Sequence, residues 1–152
     1  MQLRKITDRR EQMRITREIL EALPEWFGIP EAREAYIQDS AGMPYVCAMQ
    51  SNQPVGFLYL KQTGKDTMEI AAMGVRKEAQ RTGIGTALLE AAKTMARKQN
   101  CSFLQVKTVQ MGKYEVYDRT NRFYQSVGFR EFEVFPTLWD EGNPCQIYVM
   151  AL

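Results

Sequence analysis

Apolar positions change period several times along the chain, and each change predicts an element. "LRKIT" (3–7) reads as a short strand. Asp8 followed by Glu11 has the form of a capping box, with Asp standing in for Ser or Thr. From there Met13, Leu20 and Leu23, with Ile19 beside them, share one helical face until Pro24. "LPEWFGIP" (23–30) is a stiff apolar connection, and Pro30 suits the first turn of a second helix through about Ile37. "YVCAMQ" (45–50) and "PVGFLYLKQT" (54–63) alternate as neighbouring strands around the turn "SNQP". "TMEIAAMGV" (67–75) is too apolar for an edge strand.

The period then lengthens to that of a helix. In "AQRTGIGTALLEAAKTMA" (79–96), Ile84, Ala87, Leu88, Ala91, Ala92 and Met95 form one stripe, which frays near Gln99 and Asn100. "CSFLQVKTV" (101–109) is a strand again, so a crossover to a parallel neighbour is the natural arrangement. "RTNRFYQSVGF" (119–129) is a short helix ended by Gly128, which can take a left-handed cap. Two final strands, "REFEVF" (130–135) and "CQIYVMAL" (145–152), are joined by "PTLWDEGNP". The expected class is α+β, a mixed and mostly antiparallel central sheet flanked by helices. Residues 1–152 are expected to form a single domain.

Composition narrows the function. Of 152 residues, 45% are hydrophobic and 25% charged, and the formal net charge is +2 with Lys and Arg dispersed. A nucleic-acid partner would call for a concentrated basic face or a reading motif, and neither is present. No apolar run approaches the roughly 18 residues of a membrane span, and "MQLRKITDRREQ" lacks the apolar core of a signal peptide. Cys47, Cys101 and Cys145 are odd in number and far apart, which argues against a disulfide framework and fits a reducing cytoplasm. Histidine is absent, which removes a His base, a Ser-His-Asp triad and imidazole metal ligands together. No metal site is expected.

The stretch before the third helix carries the candidate chemistry. A helix start leaves N–H groups unpaired and carries partial positive charge, which suits phosphate oxygens. Gly83 and Gly85 would let the backbone approach a bulky anion, while Arg81 and the Thr86 hydroxyl add contacts. The alternative is a plain turn in which the glycines relieve strain. No GKS or GKT follows, so this is not a P-loop, and Leu88 stands where a dinucleotide fingerprint needs its third glycine.

"MGVRKEAQRTGIGTALL" resembles the Gln/Arg-x-x-Gly-x-Gly/Ala signature of the GNAT N-acetyltransferase superfamily, with Gln80, Gly83 and Gly85 in the signature positions. "FYQSVGF" (123–129) resembles that superfamily's second element, Phe-Tyr-x-x-x-Gly-Phe, and the two occur in the expected order. The likeness spans nearly the whole chain, and "LPEWFGIPEAREAYI" and "FPTLWDEGNPCQIYVMAL" further resemble a bacterial subgroup of small members. It implies the GNAT acyl-CoA N-acyltransferase fold and acetyl-CoA as donor. The CoA pyrophosphate would lie at Gln80, Arg81, Thr82, Gly83, Ile84, Gly85 and Thr86, and the pantetheine arm along Met73, Gly74 and Val75. Many members carry Asn six residues before the Phe of this element; here that position is Tyr117, and Asn121 lies out of register, so neither is assigned.

Acetyl transfer needs an uncharged amine, a stabilised oxyanion and a proton for the leaving thiolate. Glu69, on the strand beside the donor, is the candidate general base, directly or through water; the alternative is a solvated or salt-bridged strand residue. The Val75 N–H is the candidate oxyanion donor. Tyr124 matches the family's thiolate-protonating tyrosine; the alternative is a packed ring with its hydroxyl satisfied elsewhere. The cysteines lie in or beside apolar strands, which favours direct transfer in a ternary complex over an acyl-cysteine. Trp26 and Phe27 could wall an apolar part of the acceptor, and Asp140 and Glu141 could attract its ammonium; the alternatives are core packing, the commoner role of such aromatics, and a surface turn. A small-molecule amine is the expected acceptor. A protein amine, an inactive CoA-binding regulator or a scaffold with no CoA site are the rivals, and a homodimer is compatible with the resemblance.

Overall fold

The computed structural model describes residues 1–152. Its sheet has seven strands: β1 (Gln2–Lys5), β2 (Tyr45–Gln50), β3 (Gln53–Gly64), β4 (Thr67–Val75), β5 (Phe103–Val109), β6 (Arg130–Asp140) and β7 (Asn143–Ala151). Their spatial order is β1-β2-β3-β4-β5-β7-β6. Only β4 and β5 run parallel; the other neighbours are antiparallel. The mixed sheet expected of an α+β chain is therefore present.

Helices cover both faces. On one, α1 (Arg9–Glu21) and α2 (Pro30–Asp39) bury Ile15, Ile19, Leu20 and Ile37 against Tyr45, Phe57 and Tyr59. On the other, α3 (Ile84–Lys98) lays Ile84, Leu88, Ala92 and Met95 on Leu58, Ile70, Leu104 and Val106, and α4 (Glu115–Ser126) adds Tyr124. Local signals act as expected at several ends. The Asp8 carboxylate accepts the Glu11 N–H at 2.9 Å, Pro30 opens α2, and Gly128 takes φ 107° after α4. No helix is long and apolar enough to cross a membrane.

Two boundaries differ from the sequence expectation. The last helix begins at Glu115 rather than 119 and ends at Ser126. Its first turn, residues 115–118, contains no buried side chain to mark the helical period. The strand expected at 130–135 runs on to Asp140, so the link between the last two strands is a tight turn at Glu141 and Gly142. β6 is the sheet edge and exposed along its length, which is why the alternation fails and why Pro136 is tolerated there.

Candidate active site

β4 and β5 pair only from Thr67–Ile70 against Phe103–Val106, and beyond that point they diverge. Just past the last pair, the register of β4 against β3 shifts by one residue at Ala71. The Arg76 N–H donates to Val55 O at 2.8 Å, so alternation along this ladder turns the amides of Met73 and Val75 away from β3 and into the opening. Side-chain amides hold both lips. Gln80 Nε2 donates to Val75 O at 2.9 Å. Across the gap, buried Asn121 donates to Val109 O at 2.8 Å and Tyr117 O at 2.7 Å, and its Oδ1 accepts the Tyr148 hydroxyl at 2.7 Å. Carbonyls that a neighbouring strand would otherwise claim are thereby satisfied without closing the sheet.

At the mouth of this opening the chain turns into α3. The main-chain N–H groups of Arg81 through Thr86 donate to no protein acceptor, and Arg81, Thr82, Gly83 and Thr86 are exposed. Arg81 takes φ 62° and Gly83 φ 89°, an uncommon pair that curls successive amides toward one side. A Cβ on Gly83 would meet nothing, so the glycine serves the positive φ and leaves the space above the loop open. Gly85 has a different reason from the one expected: its Cβ would lie 3.1 Å from the Phe123 ring, so it lets α4 approach α3. Gln80 and Thr82 turn inward, the latter donating to Ala79 O, and Ile84 is buried in the core. What faces outward is a row of free amides with Arg81 and Thr86 beside it, which fits a diphosphate group.

Tyr124 stands on α4, facing β5. Its ring packs against Phe129 at 5.5 Å, Phe123 at 5.7 Å and Tyr148 at 6.0 Å. Its hydroxyl has no protein partner, yet no fully buried side-chain polar atom lacks one, so the hydroxyl reaches out of the packing. Burial, with the nearby Tyr36 hydroxyl as a lesser cause, pushes the phenol well above its ordinary value. Glu69 lies at the root of the opening on the α1–α2 side, 6% exposed. The structure gives it a salt bridge rather than apolar isolation: Lys107 Nζ donates to Oε1 at 2.7 Å. Oε2 carries no partner.

The connection between α1 and α2 crosses toward α4. Tyr117 donates to Trp26 O at 2.9 Å, Trp26 Nε1 to Thr120 Oγ1 at 3.2 Å, and the Arg119 guanidinium lies 6.0 Å from the Trp26 ring centre. Phe27 meets Tyr36 edge-on at 5.7 Å. Asp140 and Glu141 lie apart, at the exposed tip of the β6–β7 hairpin, where the Asp140 carboxylate accepts two contacts from Asn143 Nδ2. No hydrogen bond or ion pair joins them to Glu69 or Tyr36.

Lys107 and Tyr36 escaped the sequence reading, and Asn121 was left unassigned there because it lies out of register with the family's Asn position. A lysine inside "LQVKTV" was a readable signal, because an interior strand carries charge only with a partner. Tyr36 offered none, since α2 shows almost no segregation of apolar residues.

The model of the acetyltransferase (GNAT) family matches residues 12–129. No curated protein sequence matches this chain. A GNAT-family structure from Desulfovibrio desulfuricans superposes with a TM-score of 0.83 at 20% identity, covering 99% of this chain and 98% of that one. The aminoglycoside 6'-N-acetyltransferase of Enterococcus faecium gives 0.74 at 18%, covering 99% and 97%. A GNAT acetyltransferase from Elizabethkingia anophelis, with acetyl-CoA bound, gives 0.68 at 20%, covering 89% of each chain.

Proposed function

Since the chain belongs to the GNAT acetyltransferase family, acyltransferases that use acetyl-CoA, we propose that it acetylates a primary amine of a small molecule by direct transfer in a ternary complex. Acetyl-CoA supplies an acetyl thioester. The free amides of residues 81–86, with Arg81 and Thr86, hold its diphosphate, and the open-facing amides of Met73 and Val75 align the pantetheine arm as an added strand. The Val75 N–H polarises the thioester carbonyl. Glu69 Oε2 receives a proton from the acceptor ammonium, directly or through one water. The freed amine forms the new C–N bond as C–S breaks, Tyr124 gives its proton to the sulfur, and the proton lost from the new amide nitrogen restores the phenol, directly or through water.

The observation that carries this reading is the combination of unclaimed amides at the α3 start with an unclaimed Tyr124 hydroxyl beside the parted strands. Aminoglycoside acetyltransferases among the structural neighbours support a small acceptor, as do the half-buried aromatic side chains of Trp26 and Phe27 near the opening. Free, buried cysteines fit the cytoplasm as the working compartment. The test is a screen of small amines for thiol released from acetyl-CoA, run beside a melting curve. CoA at 100 times its Kd should stabilise the fold by about 2.7 kcal/mol. A chain whose melting temperature ignores millimolar CoA would sink the donor site. One that binds CoA but releases no thiol with any amine would sink the acceptor reading.

A further inference from the structure

The Glu69–Lys107 pair brackets the end of the β4–β5 ladder, Glu69 one position before its last pair and Lys107 one position after, and it is nearly enclosed: the Glu69 side chain is 7% exposed and that of Lys107 27%. Burying such a pair costs desolvation that its attraction barely recovers, so two apolar residues would serve stability as well. Its place at the root of the opening calls for another reason. The pair leaves two groups unspent, Glu69 Oε2 and the remaining N–H donors of Lys107. The Tyr36 hydroxyl adds a third polar tip without a protein partner. Tyr36 stands on α2, packed against the core on the same face of the sheet as Glu69, with its carbonyl accepting the Tyr59 hydroxyl at 2.7 Å.

We propose that the acceptor is a zwitterion, an α-amino acid or a similar small amino-carboxylate, whose carboxylate meets Lys107 while its amine lies against Glu69 Oε2 and the Tyr36 hydroxyl. This rests on the acetyltransferase reading of the same site. Charge balance supports it. A polycationic acceptor needs surplus acid, whereas Glu25 of the α1–α2 connection is paired with Lys77 and Glu34 of α2 with Arg17, which leaves Asp39 as the unpaired acid of the last turn of α2. Arg33, which donates to Phe27 O, and Arg119 add positive charge there. Fixed opposite charges side by side match the fixed opposite charges of an amino acid. Phe27, Tyr36 and Trp26, all half-buried, offer an apolar wall for its side chain.

Matched acceptors test this on the full chain: L-phenylalanine, its methyl ester and phenethylamine, then L-leucine, its methyl ester and isopentylamine, each followed by thiol release from acetyl-CoA. The free amino acids should exceed both relatives in kcat/KM by about tenfold or more. Lys107→Met should reduce that ratio to about one through a higher KM for the acid, and Lys107→Arg should keep most of it. Should Lys107→Met fail to fold, the comparison within the unaltered protein still decides. Esters or amines that react as well as the acids would overturn the proposal and leave the acetyltransferase reading intact, and so would a preference that survives Lys107→Met. Absence of turnover with all six, in a protein that releases thiol from acetyl-CoA with another amine of the screen, would overturn the proposal and leave the acetyltransferase reading intact.

Discussion

Tyr124 is enclosed at its ring and open at its hydroxyl, and both halves matter to its role. The ring contacts with Phe123, Phe129 and Tyr148 fix where the oxygen points, so little order is lost when a thiolate is met. Tyr124→Phe keeps that packing and removes one proton donor. Steady-state kinetics should then show kcat lower by about 100-fold, with the KM for acetyl-CoA nearly unchanged. Because burial raises this phenol, its neutral form persists above the pH of about 10 where exposed phenols ionise, so the activity of the unaltered protein should show no basic limb from Tyr124 below that pH. The motif around Tyr124 was legible along the chain. Lys107 beside Glu69 was not, because the two lie 38 residues apart and meet only through strand register.

At the scale of elements, α3 and α4 act as one device. Phe123 sits over Gly85, and the next residue is the proposed proton donor to sulfur, so a Cβ at Gly85 would press on the turn that carries Tyr124. Gly85→Ala should cost about 1–3 kcal/mol in urea unfolding through overpacking, and should lower kcat. Phe123→Leu added to it should restore part of the stability; a double variant no more stable than the single one would refute the contact as the cause. Asn121 ties α4 to the free edge of β5. Asn121→Ala leaves Val109 O, Tyr117 O and the Tyr148 hydroxyl short of a partner, with an expected cost of about 3 kcal/mol in the same unfolding experiment. It should also raise the KM for acetyl-CoA, because the lip of the opening loses its tie. The last helix and the long β6 were misjudged from the sequence for related reasons. The first turn of the helix buries no side chain, and an exposed edge strand has no buried face to impose alternation.

For the whole molecule, two cores pack back to back on one sheet, and several titratable groups are locked inside them. Cys47 is pushed up to about 12 by burial, and burial likewise raises Tyr45, Tyr59 and Tyr124 beyond their ordinary range. Such groups keep their protons in the folded chain at a pH where the unfolded chain has released them. Stability is therefore full below the unfolded values and falls as pH rises, beginning near the ordinary thiol value of 9.0. Melting temperature should be level through neutral pH and decline above about pH 9, each locked group contributing up to about 1.4 kcal/mol per pH unit. Cys47→Ala should remove the earliest part of that decline; an unchanged profile would show that Cys47 does not take part.

Short-range information determined much of this protein by itself. Caps, turn residues and apolar periods placed the helices and most of the strands, and the glycine loop before α3 together with Phe123-Tyr124 pointed to the family. The parting of β4 and β5, the turn of Met73 and Val75 into the gap, and the meeting of Glu69 and Lys107 were decided only by the tertiary structure. Side chains alternate with period two along a strand, so the single-residue register shift at Ala71 changes which face every later residue of β4 presents. Nothing local in "TMEIAAMGV" announces that shift, because it arises between β3 and β4 once they are packed together.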